Sequence, residues 1–413
     1  MKLAHAFALL ALSATAFAQE TWVVDTALGP GSDFSDIQSA VDVASSGDVV
    51  LIRAGAYDGF QIDGKGLTLS ADGDVTIIVN GFGLHPRITN TLPSQTCVLR
   101  GLSFVAVLSY YGSGRTLEAS STHGPILVED CTFMNDRIEL VDVASFTLVR
   151  CSSEGTSGQV REYISILTHP ALTAAGSNVF AYDSTLRGGT GGWGHAGVYS
   201  SQHGAPGVLL SQGSQLYLDG CTLIGGDGGD SMPGYFTCDT PKNGGAGLEL
   251  GIGSPTADLR ASSLQGGAAG GMPASCPVGS AGLPVKLLSG TTTTYAEPGP
   301  GLTVTSPVRE GETFDVVAEG LAGEVAFVGL ALDIAPQFLP SIACAQIVDS
   351  SAVLLSIGAF PAGGQLAAQA TMPNQPVGVE GTFYALQVAS CDLVSGTCLL
   401  GNPTAPVILD ASF

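Results

Sequence analysis

The sequence predicts an all-β protein: a right-handed parallel β-helix with an N-terminal capping helix, followed by a small β-sandwich domain. Two observations lead to this fold class. An eight-residue alternating pattern returns six times between residues 97 and 264, and the later chain divides into short alternating runs separated by turn residues. We place the β-helix at 19–288, a linker at 289–301 and the sandwich at 302–413.

The repeated pattern covers 97–104, 126–133, 146–153, 179–186, 216–223 and 257–264. Apolar or small residues occupy the first, third and sixth places, so the period of two that is typical of a strand is interrupted once. This interruption predicts an exposed bend at Gly101, Asp130, Arg150, Asp183, Gly220 and Ala261. Copies lie 20 to 41 residues apart, which is one coil or one coil with a loop. We expect about eight stacked coils, with Val128, Leu148, Leu218 and Leu259 in one inward column.

Small residues fill most of the sixth places, which are Leu102, Cys131, Cys151, Ser184, Cys221 and Ser262. A metal or redox ladder is one interpretation, but free thiols acting as small buried hydrophobic groups are favoured. We expect Cys391 and Cys398 to close a hairpin by a disulfide. Cys238 and Cys276 lie in corresponding loops of neighbouring coils and are expected to form a second disulfide after export.

Residues 1–18 have the features of a secretory signal: a basic start at Lys2, an apolar stretch and a small-x-small end at Ala16-Phe17-Ala18. The mature chain would begin at Gln19 and be secreted or held at the cell surface. No later segment predicts a membrane span. The net charge of −22 argues against nucleic acid as a partner, because the chain would repel it. We expect no cofactor, although the many acidic side chains could supply oxygen ligands for calcium.

The start of the mature chain predicts an amphipathic helix that covers the first coil. Phe34, Ile37, Val41 and Ala44 have helical spacing, and Ser35 is the expected N-cap. A helix in front of the first coil would cover an otherwise open core edge.

The same segment carries a family resemblance. Asp33-Phe34-x-x-Ile37-Gln38-x-Ala40-Val41, then Gly47-Asp48 with the apolar run 49–52, then Gly55-x-Tyr57, resembles the opening of pectin-lyase-like right-handed β-helix proteins. The resemblance covers roughly 22–290. It implies a superfamily of pectate lyases, pectin methylesterases and polygalacturonases, together with many surface proteins without known activity. The C-terminal part resembles modules found on exported bacterial proteins.

A catalytic site is not identified from the sequence. The motifs that polygalacturonases and pectin methylesterases carry are absent. Asp130, Arg150 and Asp183 could stack on one bend and resemble the calcium-and-arginine site of pectate lyases, but a surface charge ladder is the favoured interpretation. His195 and His203, in a glycine-rich loop, are the best general-base candidates by expected exposure.

Three coils carry glycine-rich loops that begin near 188, 225 and 266 and leave the same side of the helix. We expect their glycines to adopt positive φ angles. Gly225-Gly226-Asp227-Gly228-Gly229-Asp230 matches the start of a calcium-binding nonapeptide, so Asp227 and Asp230 are candidate calcium ligands. Trp193, His195, Tyr235 and Phe236 lie on these loops and are candidate ligand-binding residues.

Two classes of function follow. The favoured one is an exported, non-catalytic surface, adhesion or glycan-binding protein whose partner is an extracellular polysaccharide or a cell-surface protein. The alternative is a polysaccharide lyase or glycoside hydrolase acting on acidic polysaccharide.

Overall fold

The computed structural model describes the chain except for residues 1–18, 81–83, 108–114, 162–163, 193–201, 231–241, 272–277, 341, 343, 350–351 and 373. The protein is all-β apart from one short helix in these described residues, and residues 19–295 form a parallel β-helix. The predicted fold class is therefore confirmed. The described part of the chain makes eight coils, and their strands pair in parallel with those of the coils before and after.

The elements of the β-helix follow in coil order. They are β1 (Thr21–Val24), α1 (Ile37–Val43), β2 (Val49–Asp58), β3 (Gln61–Asp63), β4 (Thr68–Asn80), β5 (Arg87–Thr89), β6 (Cys97–Val107), β7 (Leu117–Thr122), β8 (Ile126–Glu129), β9 (Thr132–Met134), β10 (Ile138–Val143), β11 (Phe146–Val149), β12 (Ser152–Glu154), β13 (Gln159–Arg161), β14 (Ile164–Ile166), β15 (Leu172–Ala175), β16 (Asn178–Tyr182), β17 (Thr185–Arg187), β18 (Val208–Ser211), β19 (Gln215–Asp219), β20 (Thr222–Ile224), β21 (Leu248–Leu250), β22 (Thr256–Arg260), β23 (Ser263–Gln265), β24 (Val285–Leu287) and β25 (Thr291–Tyr295).

Three faces surround the core of the helix. Face A contains β1, the first halves of β2, β4 and β6, and then β8, β11, β16, β19, β22 and β25. Face B contains the second halves of those long strands and then β9, β12, β17, β20 and β23. Face C contains β3, β5, β7, β10, β15, β18, β21 and β24. Strands β13 and β14 form an antiparallel hairpin within the fifth coil.

The predicted bends join face A to face B. The six bend residues have φ angles between 42° and 70°, the left-handed region, and they are Gly101, Asp130, Arg150, Asp183, Gly220 and Ala261. The inward column is also confirmed, because Val128, Leu148, Ala181, Leu218 and Leu259 are successive partners in the strand register and all are buried.

The small residues at the sixth place satisfy backbone groups inside the helix. Cys131 Sγ accepts a hydrogen bond from Leu102 N (3.4 Å), and Ser184 Oγ accepts one from Cys151 N (3.0 Å). Cys97, Cys131, Cys151, Cys221 and Cys344 are free and buried, which confirms the thiol interpretation for the column. Burial raises the pKa of the Cys151 thiol to about 12, so this thiol stays protonated.

Helix α1 covers the first coil as predicted, but its N-cap is Asp36 and not Ser35. Asp36 Oδ1 accepts a hydrogen bond from Ser39 N (2.8 Å) and its Oδ2 accepts one from Ser39 Oγ (2.8 Å). The longer carboxylate thus binds two donors of the first turn. Ile37, Ala40 and Val41 are buried. Among the described residues, no helix has the length and hydrophobicity of a membrane span.

The remaining strands form the C-terminal domain. They are β26 (Gly301–Val304), β27 (Val308–Arg309), β28 (Thr313–Glu319), β29 (Val325–Ala331), β30 (Ile334–Leu339), β31 (Cys344–Val348), β32 (Val353–Ala359), β33 (Gln365–Thr371), β34 (Gly381–Phe383), β35 (Ala385–Asp392), β36 (Thr397–Thr404) and β37 (Val407–Leu409). The sheets β26-β28-β33 and β32-β29-β35-β36 contribute to one apolar core, which is a small sandwich. The Cys391–Cys398 disulfide closes the β35–β36 hairpin, as predicted.

The segment expected to be a linker is partly strand. Thr291–Tyr295 is β25, and it pairs in parallel with β22, so the β-helix continues past residue 288. A run of four threonines was interpreted as a linker because it lacks the apolar alternation. Strand β25 is the last strand of face A and has only one neighbouring strand, β22, so few apolar side chains are needed on its inward side.

The C-terminal domain covers the outer side of face A. Leu127, Phe180 and Tyr217 point outward from this face and pack against apolar residues of the domain. Arg100, Glu129 and Arg150 form a network beside them. Glu129 accepts hydrogen bonds from the domain, and Arg150 Nη1 donates to Leu302 O (3.2 Å). The charge ladder expected at Asp130, Arg150 and Asp183 is therefore seen only in part: Arg150 pairs with Asp130 and Glu129 but not with Asp183, and the second domain covers this network.

Candidate functional site

A layered structure of glycine-rich segments projects from the corner between face B and face C. We call it the glycine platform and define it by outgoing segments 188–192, 225–230 and 266–271 and return segments 202–207, 242–247 and 278–283. A first rung, 155–158 with 167–170, precedes it. None of these segments is a helix or strand, and none contributes to the apolar core of the coils.

Backbone hydrogen bonds connect the platform in two directions. Gly188 N donates to Ile224 O (2.8 Å) and Gly191 N donates to Asp227 O (2.7 Å), which joins successive outgoing segments. Gly226 N donates to Ala205 O (2.8 Å), which joins an outgoing segment to the return segment of the previous coil. The two amides that donate to the next outgoing segment, Gly188 and Gly191, are three residues apart. Three residues per turn is the period of an extended polyproline-II chain, which has no internal hydrogen bonds.

The glycines are required by space and not by φ angle, so the expectation of positive φ was wrong for the platform. A Cβ on Gly189 would lie 1.7 Å from Thr156 O, one on Gly226 would lie 2.0 Å from Gly189 O, and one on Gly267 would lie 2.0 Å from Gly226 O. Each backbone packs directly on the carbonyl of the segment below, as only glycine permits. The platform is therefore stabilised by contacts between backbones.

The two aspartates of the calcium-like motif bind the next outgoing segment. Asp227 Oδ1 accepts a hydrogen bond from Ala268 N (2.7 Å), and Asp230 Oδ1 accepts one from Gly271 N (2.6 Å). Within the described residues, no group of three or more His, Cys, Asp or Glu side chains is placed to hold a metal ion. Calcium binding stays a prediction. His203 Nδ1 accepts a hydrogen bond from Asn243 N (2.9 Å), so this nitrogen holds two return segments together.

Three segments join the outgoing and return parts of the platform: 193–201, 231–241 and 272–277. They lie outside the described residues. Four predicted binding residues and two predicted disulfide cysteines fall on them, namely Trp193, His195, Tyr235, Phe236, Cys238 and Cys276. Their roles stay predictions.

A groove of about 330 Å³ runs between the first rung and face C. We call it the foot groove. Val141, Thr173 and Leu209, from strands β10, β15 and β18, form its floor. His169 and Pro170, which belong to the first rung, form its wall, and Arg137 and Glu139 stand at one end. This volume lies within the range of small-ligand sites.

Ion pairs surround the end of the foot groove. Glu139 accepts from Arg115 and is paired with Arg137 Nη2 (3.1 Å). Arg137 Nη1 is buried without a hydrogen-bond acceptor, at 3.7 Å from Asp136 Oδ1. Burial raises the pKa of the Asp136 carboxyl to about 6. Burial, with Arg137 nearby, lowers the pKa of His169 to about 4, so its imidazole is neutral at pH 7.

A larger cleft of about 480 Å³ lies between face A and the C-terminal domain. Its charged groups serve the domain contact, because Arg150 binds Asp130 and Leu302 O, and Asp219 Oδ1 accepts a bond from Gly299 N (3.3 Å). Burial raises the pKa of Asp219 to about 7. Asp183 lines the same cleft but forms no ion pair with Arg150, so Asp130, Arg150 and Asp183 are not joined as one site.

Sequence reasoning missed the foot groove because His169 belongs to a different coil from Arg137 and Glu139. Arg137, Glu139 and His169 share no motif. A signal was present in the strands of face C, where 117–119, 138–140 and 248–250 each read apolar-Glu-apolar. In each of these strands the two apolar residues point inward and the Glu between them points outward, so the repeated pattern indicates a third face of the helix.

Comparisons with known proteins give little beyond this geometry. No protein-family model and no curated protein matches the chain. Among solved structures, full-length tailspike protein 2 from Escherichia coli O157:H7 bacteriophage CAB120 is similar, with 11% identity and a TM-score of 0.28. That alignment covers 95% of this chain and 69% of the tailspike chain. The β-helix assignment rests on the strand pairing described above.

Proposed function

We propose that this protein is an exported glycan-binding protein that uses the platform side of its β-helix as the binding surface. The observation that carries the proposal is the glycine platform. Each glycine loses more conformational entropy on folding than any other residue would, so such a structure is costly. Because the platform adds nothing to the apolar core of the coils, its proposed use is to provide a rigid base for the segments that it carries.

Rigid support is what a recognition surface needs. Side chains held on a fixed scaffold lose less entropy on binding than side chains on free loops. Trp193 and Tyr235 are the aromatic residues that would stack on sugar rings. The outer side of face A is covered by the C-terminal domain, whereas the platform projects from the corner between the other two faces.

The test uses the full mature chain on an array of cell-wall and extracellular polysaccharides. We expect binding to at least one glycan and a loss of tenfold or more in the Trp193→Ala/Tyr235→Ala double variant, with an unchanged melting temperature. Leu92→Ala, a control at a side chain that is 58% exposed far from the platform in sequence, should bind like the wild type. Loss of stability in the double variant with no glycan bound by the wild type would contradict the proposal.

A further inference from the structure

The foot groove combines an apolar floor with a polar end. Thr173 and Leu209 are register partners on neighbouring strands, and Val141 lies on the next strand, one outward position further along. Their side chains form an apolar patch that spans three strands, a width of about 10 Å. Pro170 adds a rigid wall. An apolar patch of this kind suits the C–H face of a sugar ring, which is apolar and nearly planar.

The polar end offers both donors and acceptors. Arg137 Nη1 is a buried donor without an acceptor. The neutral imidazole of His169 has one donor and one acceptor nitrogen, and neither makes a hydrogen bond within the described residues. A hydroxyl group both donates and accepts, so neighbouring hydroxyls of a sugar would match Arg137 and His169 together. A buried donor left unpaired costs free energy that a ligand oxygen would restore.

The charges at this end balance each other. The three cations Arg87, Arg115 and Arg137 face the three acids Glu118, Asp136 and Glu139, with close pairs from Arg87 and Arg115 to Glu118 and from Arg115 and Arg137 to Glu139. No surplus positive charge remains here for a carboxylate, and the whole chain carries −22. The groove therefore favours an uncharged ligand over an acidic one.

We infer that the foot groove is a subsite for one uncharged pyranose unit of a glycan, with its ring face on Thr173 and Leu209 and its hydroxyls on Arg137 and His169. This inference rests on the proposed function and extends it to a second contact at the base of the platform. The alternative class of ligand, an acidic sugar, is an outcome of the test.

The test measures binding of the full mature chain to neutral hexose and xylose tetrasaccharides and, in parallel, to oligogalacturonate and alginate tetrasaccharides. We expect a neutral series to bind and Thr173→Trp, which fills the groove, to weaken it tenfold or more. Thr185→Trp places the same side chain on an exposed strand position of face B and should bind within twofold of the wild type. Melting curves check that both variants fold.

A second pair of variants keeps the test decisive if Thr173→Trp does not fold. His169→Phe removes both polar atoms and should weaken binding about fivefold to tenfold, whereas His169→Gln keeps a donor and an acceptor and should retain most of it. Wild-type affinity in Thr173→Trp and His169→Phe, with binding still lost in the Trp193→Ala/Tyr235→Ala variant, would overturn the subsite but keep the proposed function. Selective binding of the uronate series would overturn the inferred ligand class, and binding of no glycan would overturn both proposals.

Discussion

The interior of the coils and the glycine platform both stack one coil on the next, but they are stabilised by different contacts. Inside the coils, apolar side chains such as Leu148 and Leu218 stack on their partners in the next coil and exclude water. In the platform, the glycines have no side chain to keep the layers apart, so the backbones approach until Gly226 lies on Gly189 O. The comparison shows that one repeating chain can be stabilised by side-chain burial on one side and by backbone hydrogen bonds on the other.

The largest expected effect on stability is the difference between substituting an inward and an outward residue of the same strand. Leu186 and Thr185 are neighbours on β17, and Leu186 is buried while Thr185 is exposed. Leu186→Asp would bury an unpaired charge and should abolish folding. Thr185→Asp should stay within about 0.5 kcal/mol of the wild type. Chemical denaturation of both variants checks this, and a folded Leu186→Asp variant would refute the assigned register.

The platform should be sensitive to a single methyl group. Gly226→Ala would place Cβ 2.0 Å from Gly189 O, and we expect the free energy of unfolding to fall by about 3 kcal/mol. Gly363→Ala is the matched control, because a Cβ there meets no atom within 4 Å and its φ is ordinary, and this change should raise stability by up to about 1 kcal/mol. Equal melting temperatures for the two variants would show that the platform does not pack as described.

A smaller effect comes from Asp219, on the covered side of face A. Burial raises its pKa to about 7, whereas in the unfolded chain it ionises near 3.8, so the folded state favours the protonated form. This contribution is complete below pH 4 and is lost as the pH rises through about 7. Between pH 5 and pH 8 the free energy of unfolding should fall by roughly 2–3 kcal/mol because of this group.

Asp219→Asn isolates that contribution. Its stability advantage over the wild type should grow with pH across the same interval, measured as the difference between two denaturation series. Asp136, whose pKa is raised to about 6, acts in the same direction in both proteins and therefore cancels in the difference. A difference independent of pH would remove burial of the Asp219 charge as the cause.

The smallest effect distinguishes hydrogen bonding from volume in the sixth-place column. Cys131→Ser keeps an acceptor for Leu102 N and should cost under about 1 kcal/mol, because Ser184 and Ser262 already occupy this place in other coils. Cys131→Val fills similar space without an acceptor and should cost about 1–2 kcal/mol. The reverse order of stability would mean that only volume matters there.

The sequence was sufficient for the coils because each coil repeats one local rule. Alternation with one interruption predicted the bends at Asp130 and Asp183, the inward column and about eight coils, and the structure has them. The Cys391–Cys398 disulfide was predictable because the two residues flank a short turn with a glycine.

Features that depend on contacts between coils were not predictable in the same way. The glycines of the platform looked like turn residues, because nothing local in the sequence shows that another backbone lies 2 Å from a missing Cβ. The covering of face A by the C-terminal domain could have been predicted. Leu127, Phe180 and Tyr217 are large apolar residues on the outer side of their strands, and such residues indicate that another part of the protein covers that face.

The most direct test of the account is amide hydrogen exchange in the platform, followed by mass spectrometry on the mature protein. Segments without helix or strand normally exchange within seconds, but the account places the amides of Gly188, Gly191 and Gly226 in backbone hydrogen bonds between coils. We therefore predict that peptides covering 188–192 and 225–229 exchange as slowly as those covering β17 and β20. Exchange at the rate of an unfolded chain would contradict a rigid platform and, with it, the proposed binding surface.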